Sequence, residues 1–154
     1  MSSFTIRVYG LLKDEEGNVV VSDEKIKGSL FTKFPGGGLE FGEGTRDCLV
    51  REFKEEMNLS VQVNEHLYTT DYFQRSAFNP AHQIISIYYM VRALEPIHIP
   101  KQKKPFSFTE AEMARYEQTQ QMETFRLIPW NLFSDQDMSL PIDKIVARLI
   151  KEMA

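Results

Sequence analysis

The chain has 154 residues, 42% of them hydrophobic and 26% charged, enough to bury one sizeable core and too apolar for wholesale disorder. Its 18 basic and 22 acidic side chains give a formal charge of −4, which excludes a general affinity for nucleic acid or anionic membranes. Cys48 is the single cysteine, so an intrachain disulfide and a cysteine-built zinc cage are excluded and a reducing, cytoplasmic setting is expected. Arg7 interrupts the first apolar run, so no secretory leader is expected. The longest apolar stretch, residues 84–91, falls far short of the ~20 that a membrane-spanning helix needs.

The chain opens with Phe4, Ile6 and Val8 alternating with Thr5, Arg7 and Tyr9, the period of a half-buried strand. Asp14 to Asn18 reads as a turn, Val19 to Val21 as a second strand, and Leu30 to Phe34 as a third that runs into Pro35 and a glycine loop. The period then changes. Thr45, a candidate N-cap, begins a helix to Met57 with Leu49, Phe53 and Met57 at four-residue spacing. Val61–Val63, Tyr68–Phe73 and Ile84–Val91 read as strands, the last buried on both faces. Prolines 96, 100 and 105 predict a loop, and Thr109 with Glu112 a capping box for a short helix through Gln118. Phe125–Ile128 suggests one more strand, and Pro141 opens a closing helix with Ile142, Ile145, Val146, Leu149 and Ile150 on one face. The sum is an α/β or α+β domain with helices packed on a mixed sheet.

Chemistry concentrates in residues 35–59. Five of the eight glycines stand between Gly36 and Gly44, where they allow backbone to approach a ligand closely. On the helix that follows, Glu52, Glu55 and Glu56 fall within an arc of roughly 100°. Like charges at this spacing repel, and a divalent cation would remove the repulsion. Carboxylate oxygens are hard ligands that suit magnesium or manganese.

Gly37, five residues, Glu43, seven residues and then Arg51-Glu52-Phe53-Lys54-Glu55-Glu56-Met57-Asn58-Leu59 resembles the Nudix box, G-x5-E-x7-R-E-U-x-E-E-x-G-U with U a bulky apolar residue. The one departure is Asn58 for the last glycine, at a helix end where Asn is the usual second choice for a left-handed backbone. The resemblance implies a Nudix-type α/β/α sandwich, a mixed sheet between helices, in a single domain over 1–154. It implies an enzyme that uses Mg2+ or Mn2+ to hydrolyse a diphosphate linkage in a nucleoside diphosphate joined to another group: a nucleotide sugar, a dinucleotide or a nucleoside triphosphate. Carried over by position, Glu52 and Glu56 are the principal metal ligands, Glu55 a further ligand or the base, and the Gly37 carbonyl another ligand. Glu43 and Arg51 hold the glutamates in place. The expected partner is a small nucleotide, with no nucleic acid and no membrane, for a monomer or homodimer. The alternative is a non-catalytic nucleotide-binding module that keeps the fold.

Outside the box the signals are weaker. His82, Tyr72 and Glu117 are candidate substrate contacts, and Glu123 shares the acidic stretch of Glu117. Cys48 reads as a small core residue, not a nucleophile. Lys101, Lys103 and Lys104 read as a solvated loop, and Tyr88 and Tyr89 as strand residues.

Overall fold

The computed structural model describes residues 3–101 and 103–153. The fold is mixed α+β, with two sheets and three helices, in agreement with the expected class. Two compact units are built from interleaved parts of the chain, one from the residues to Leu12 with Pro35–Ile97, the other from Lys13–Phe34 with His98 onward.

The first unit holds β1 (Ser3–Leu12), β4 (Gly36–Gly38), α1 (Thr45–Met57), β5 (Val61–Thr69) and β6 (His82–Ala93). Its sheet runs β4-β1-β6-β5, with β1 parallel to β6 and the outer pairs antiparallel. Leu49 and Phe53 of α1 are buried together with Val8 of β1. A β-carbon on Gly10 would stand 2.8 Å from the Phe53 ring and 2.7 Å from Val91, so only glycine lets helix and strand come this close. The helix ends at Asn58 with φ 50°, the left-handed conformation expected there, and the amides of Asn58 and Leu59 return to the carbonyls of Lys54 and Phe53.

Three local expectations change. Gly44, not Thr45, caps α1, with the Asp47 carboxylate accepting from the Gly44 N–H at 3.2 Å. Thr45 is already helical, and its hydroxyl bonds the Tyr89 hydroxyl at 2.6 Å, which pins the helix start to β6. The segments Val61–Val63 and Tyr68 onward form a single strand that stops at Thr69, with register shifts between Val63 and Tyr68. Finally, Gly36–Gly38 is a strand and not a loop, because pairing with β1 uses only backbone groups.

The second unit holds β2 (Val19–Ile26), β3 (Ser29–Lys33), α2 (Glu110–Thr119), β7 (Gln121–Ile128), a 3-10 turn (Asp135–Asp137) and α3 (Pro141–Met153). Its sheet is antiparallel in the order β3-β2-β7. The capping box at Thr109 and Glu112 is present, with both reciprocal bonds formed. Ile142, Val146 and Ile150 of α3 are buried, as the amphipathic spacing predicts. Trp130 lies with Lys13 Nζ 3.5 Å and Lys151 Nζ 4.3 Å from its ring centroid, and Lys151 also donates to the Trp130 carbonyl at 2.7 Å. No helix among the described residues is long and apolar enough to cross a membrane.

Candidate active site

The acidic helix α1 docks on the side-chain-free strand β4. A β-carbon added to Gly37 would fall 2.6 Å from the carboxyl carbon of Glu52. Glycine therefore leaves a cradle that the Glu52 carboxylate fills. The Glu52 side chain is only 12% exposed, whereas that of Glu55, a turn further on, is 60% exposed. Glu56 is exposed as well.

Arg51 is the hub of this region. Its guanidinium donates to Glu43 through Nη2 at 2.7 Å and Nε at 3.0 Å, the two-pronged geometry that a planar fork makes with a carboxylate. Nη1 donates to Glu52 at 2.9 Å and to Glu55 at 3.2 Å, and Nη2 reaches the Gly38 carbonyl at 3.2 Å. The Arg51 bonds, followed by that from the Glu40 N–H, hold the Glu43 carboxyl down at about 2. Reciprocally, the Glu43 bond drives the Arg51 pKa further up against the opposing effect of burial, with Glu52 adding to the rise. Both partners stay charged across the physiological range, so Arg51 keeps the Glu52 carboxylate turned toward Gly37.

Strand pairing decides which backbone carbonyls face a ligand. The Gly10 N–H bonds the Pro35 carbonyl and the Leu39 N–H bonds the Ile6 carbonyl. Antiparallel hydrogen-bonded pairs alternate, so Val8–Gly37, midway between, is the bonded pair, while Arg7–Gly38 and Tyr9–Gly36 are not. The Gly37 carbonyl is thus turned into the ladder toward Val8. β4 is an edge strand, so the Gly36 and Gly38 carbonyls point outward. That of Gly38 accepts from Arg51, which leaves Gly36 as the better backbone ligand.

Among the described residues no three His, Cys, Asp or Glu side chains already form a metal cage. Magnesium needs none, since it typically takes one or two carboxylates and completes its shell with waters and substrate phosphates. Glu43, Glu52 and Glu55 already gather around one cation, the Arg51 guanidinium, and all offer hard oxygen donors. The Glu52 cradle and the outward Gly36 carbonyl fit a small divalent ion at the edge of β4.

The remaining candidates divide by unit. His82 begins β6, and its Nδ1 shares a 2.8 Å hydrogen bond with Thr5 Oγ1. Tyr72 lies beyond the end of β5, its hydroxyl pKa raised first by burial and then by the Asp71 charge. Glu117 is on an exposed turn of α2 in the second unit, whereas Glu123 on β7 is half-buried and bonded to Ser22. Tyr88 and Tyr89 are buried strand residues. Cys48 is fully buried, and burial first, then the Glu43 charge, pushes its thiol up to about 12. Lys101 pairs with Glu16, and Lys103 donates to Thr124. Sequence reasoning passed over Glu40, whose N–H supports Glu43 at 2.9 Å, and the outward Gly36 carbonyl. A short glycine run read as a strand would have exposed the second.

A glutamate-bearing helix seated on a glycine strand within a mixed α+β chain is the arrangement of the Nudix pyrophosphohydrolases. The chain belongs to that family: the NUDIX domain matches residues 3–135. In fold it is similar to the ORF135 protein of E. coli, with a TM-score of 0.66 and 14% identity over 99% of this chain and 91% of the other. It is also similar to an ADP-ribose pyrophosphatase of Streptococcus suis, with a TM-score of 0.53 and 16% identity over 97% of this chain and 92% of the other. A nonribosomal peptide synthetase of Aspergillus ruber, echPS, is 28% identical over 94 residues, 61% of this chain. The chain spans only 4% of the length of that curated relative.

Proposed function

We propose that this chain hydrolyses a diphosphate linkage in a nucleoside diphosphate joined to another group, with Mg2+ or Mn2+ held at Glu52 and Glu56. The carrying observation is the Glu52 carboxylate set into the Gly37 cradle and held there by Arg51, inside a box complete in its charged positions. A divalent cation bound there would neutralise the diphosphate and lower the pKa of a bound water. Glu55 is mostly exposed and reaches Arg51 only at 3.2 Å, so its carboxylate can turn to accept the proton of the attacking water. Arg51 and Glu43 position Glu52, and the Gly36 carbonyl adds a backbone oxygen.

The family match runs through both units, which supports residues 1–154 working as one Nudix domain. A buried, unreactive thiol suits the reducing cytoplasm.

Incubating purified protein with nucleotide sugars, dinucleotides and nucleoside triphosphates, plus Mg2+ or Mn2+, tests the reading by mass spectrometry of products. Expected is cleavage to a nucleoside phosphate on at least one class, lost by at least ~10²-fold in Glu56→Gln. Absence of turnover on every class, with both metals and across pH, overturns it.

A further inference from the structure

The second unit brings two ammonium groups to one indole. Lys13 directly follows β1 and pairs with Val19 of β2, while Lys151 stands in the last turn of α3. Their Nζ atoms lie 3.5 and 4.3 Å from the centroid of the Trp130 ring, so they are no further from each other than the sum of those lengths. All three side chains are half-buried, within reach of solvent.

The ring attracts each ammonium but does nothing about their mutual repulsion. Burial foremost, then the Lys151 charge, pulls the Lys13 pKa down, and no acid pulls it the other way. A carboxylate normally settles such a pair. Among the described residues neither ammonium has one in ion-pair reach. Asp14, next to Lys13, gives its oxygens to the Glu16 and Asn18 N–H groups and the Asn18 side chain, and Asp135 pairs with Arg148. Glu152, next to Lys151, is exposed.

The donors are also unspent. Lys151 gives one N–H to the Trp130 carbonyl at 2.7 Å, whereas Lys13 Nζ and the indole N–H donate to no described residue. The last turn of a helix attracts a cation, which accounts for Lys151. It does not account for Lys13 beside it. Lys144 and Arg148 share the α3 face of Lys151 at helical spacing, so positive charge gathers here in a chain of net charge −4.

We propose that Lys13, Lys151 and the Trp130 N–H form a binding site for a phosphate oxyanion, free or as the terminal group of a small molecule. A tetrahedral dianion presents several acceptor oxygens at once, so each ammonium can donate to one of them while the two negative charges cancel the repulsion. A single carboxylate would leave the pair net positive. Lysine suits this role because its ammonium is a compact charge that meets phosphate from any direction. The site shares no residue with the acidic box, and the inference stands whether or not the chain is a hydrolase.

Trp130 is the only tryptophan, so its fluorescence reports on this place in the fold. The full chain is titrated with inorganic phosphate, pyrophosphate and glycerol phosphate, in EDTA and at an ionic strength held constant with sodium chloride. EDTA keeps metal-bridged binding to the box carboxylates out of the readout, and calorimetry on the same samples checks the fluorescence. Saturable binding is expected for at least one of the three, with sodium chloride alone giving no saturable change. Lys13→Met and Lys151→Met should each weaken it by at least ~10-fold, the loss of one charge-assisted bond, while Lys104→Met, on the exposed loop, should leave it unchanged. Phosphate should also raise the Tm of wild type more than that of Lys13→Met. Inorganic phosphate against glycerol phosphate shows whether the free ion or an ester fits better. No saturable binding of any of the three to wild type overturns the assignment, as does unchanged affinity in whichever of the Lys13 and Lys151 variants folds by circular dichroism.

Discussion

The Glu52 carboxylate lies where a β-carbon of Gly37 would stand, 2.6 Å from that position. Gly37→Ala must push the carboxylate away or shift β4, since a contact under 3 Å cannot persist. The expected outcome is a fall in kcat/KM of at least ~10²-fold, the scale of a catalytic constellation displaced by about an ångström. Secondary structure should be retained, because the change touches one edge strand and one side chain. Steady-state kinetics beside circular dichroism would check this, and near wild-type activity would remove Glu52 from the proposed metal site.

Glu43 and Arg51 support a pH prediction of definite sign. The Glu43 carboxyl is held at about 2 in the fold, below its ordinary value near 4.5. Its stabilising contribution is therefore fully present above ~4.5 and is lost as pH falls toward ~2. The difference in Tm between wild type and Glu43→Gln should be constant at neutral pH and shrink below ~4.5. A difference that grows on acidification would contradict the pairing.

For Arg51, lysine is not a substitute, because a single ammonium cannot reproduce the two-pronged grip on Glu43 while also reaching Glu52. Arg51→Lys should weaken Mg2+ binding ~10- to 100-fold, the usual loss when a group that orients metal ligands is altered. Metal titration by calorimetry reads this directly, with activity following in parallel.

Cys48 should be inert. Its thiol is fully buried and pushed up to about 12, so almost no thiolate exists near neutrality. As the only cysteine, it gives an unambiguous readout: iodoacetamide should add nothing to the native mass and one group after denaturation. Cys48→Ala should stay within a few-fold of wild-type kcat. Rapid native labelling accompanied by inactivation would reverse the assignment.

The helix of the box was legible because it depends on residue types at fixed intervals along one segment, and α1 occupies the span read from the sequence. Asn58 was legible too, since its left-handed conformation is a local property. What escaped was set by partners distant in the chain. Thr45 looked like a cap until Tyr89, 44 residues on, claimed its hydroxyl. The orientation of the Gly37 carbonyl depends on its register against Val8. Lys33 and Glu123 come together only through β2, which pairs with both of their strands, and no spacing within one segment announces that.

Asp23 and Arg126 give the clearest stability test. The Asp23 side chain is wholly inaccessible and the Arg126 side chain is 9% exposed, with Nε to Oδ2 at 2.8 Å. Burial raises the Asp23 carboxyl pKa, but bonds from Arg126, the Phe106 N–H and Thr32 outweigh it and leave the net shift downward. Asp23→Ala would strand a buried guanidinium, at a cost of about 3–5 kcal/mol. Replacing both residues, as in Asp23→Leu with Arg126→Met, removes the unpaired charge along with the bond. The double variant should therefore be more stable than Asp23→Ala in urea unfolding. If both unfold at the same urea concentration, the stranded charge is not what makes the single substitution costly.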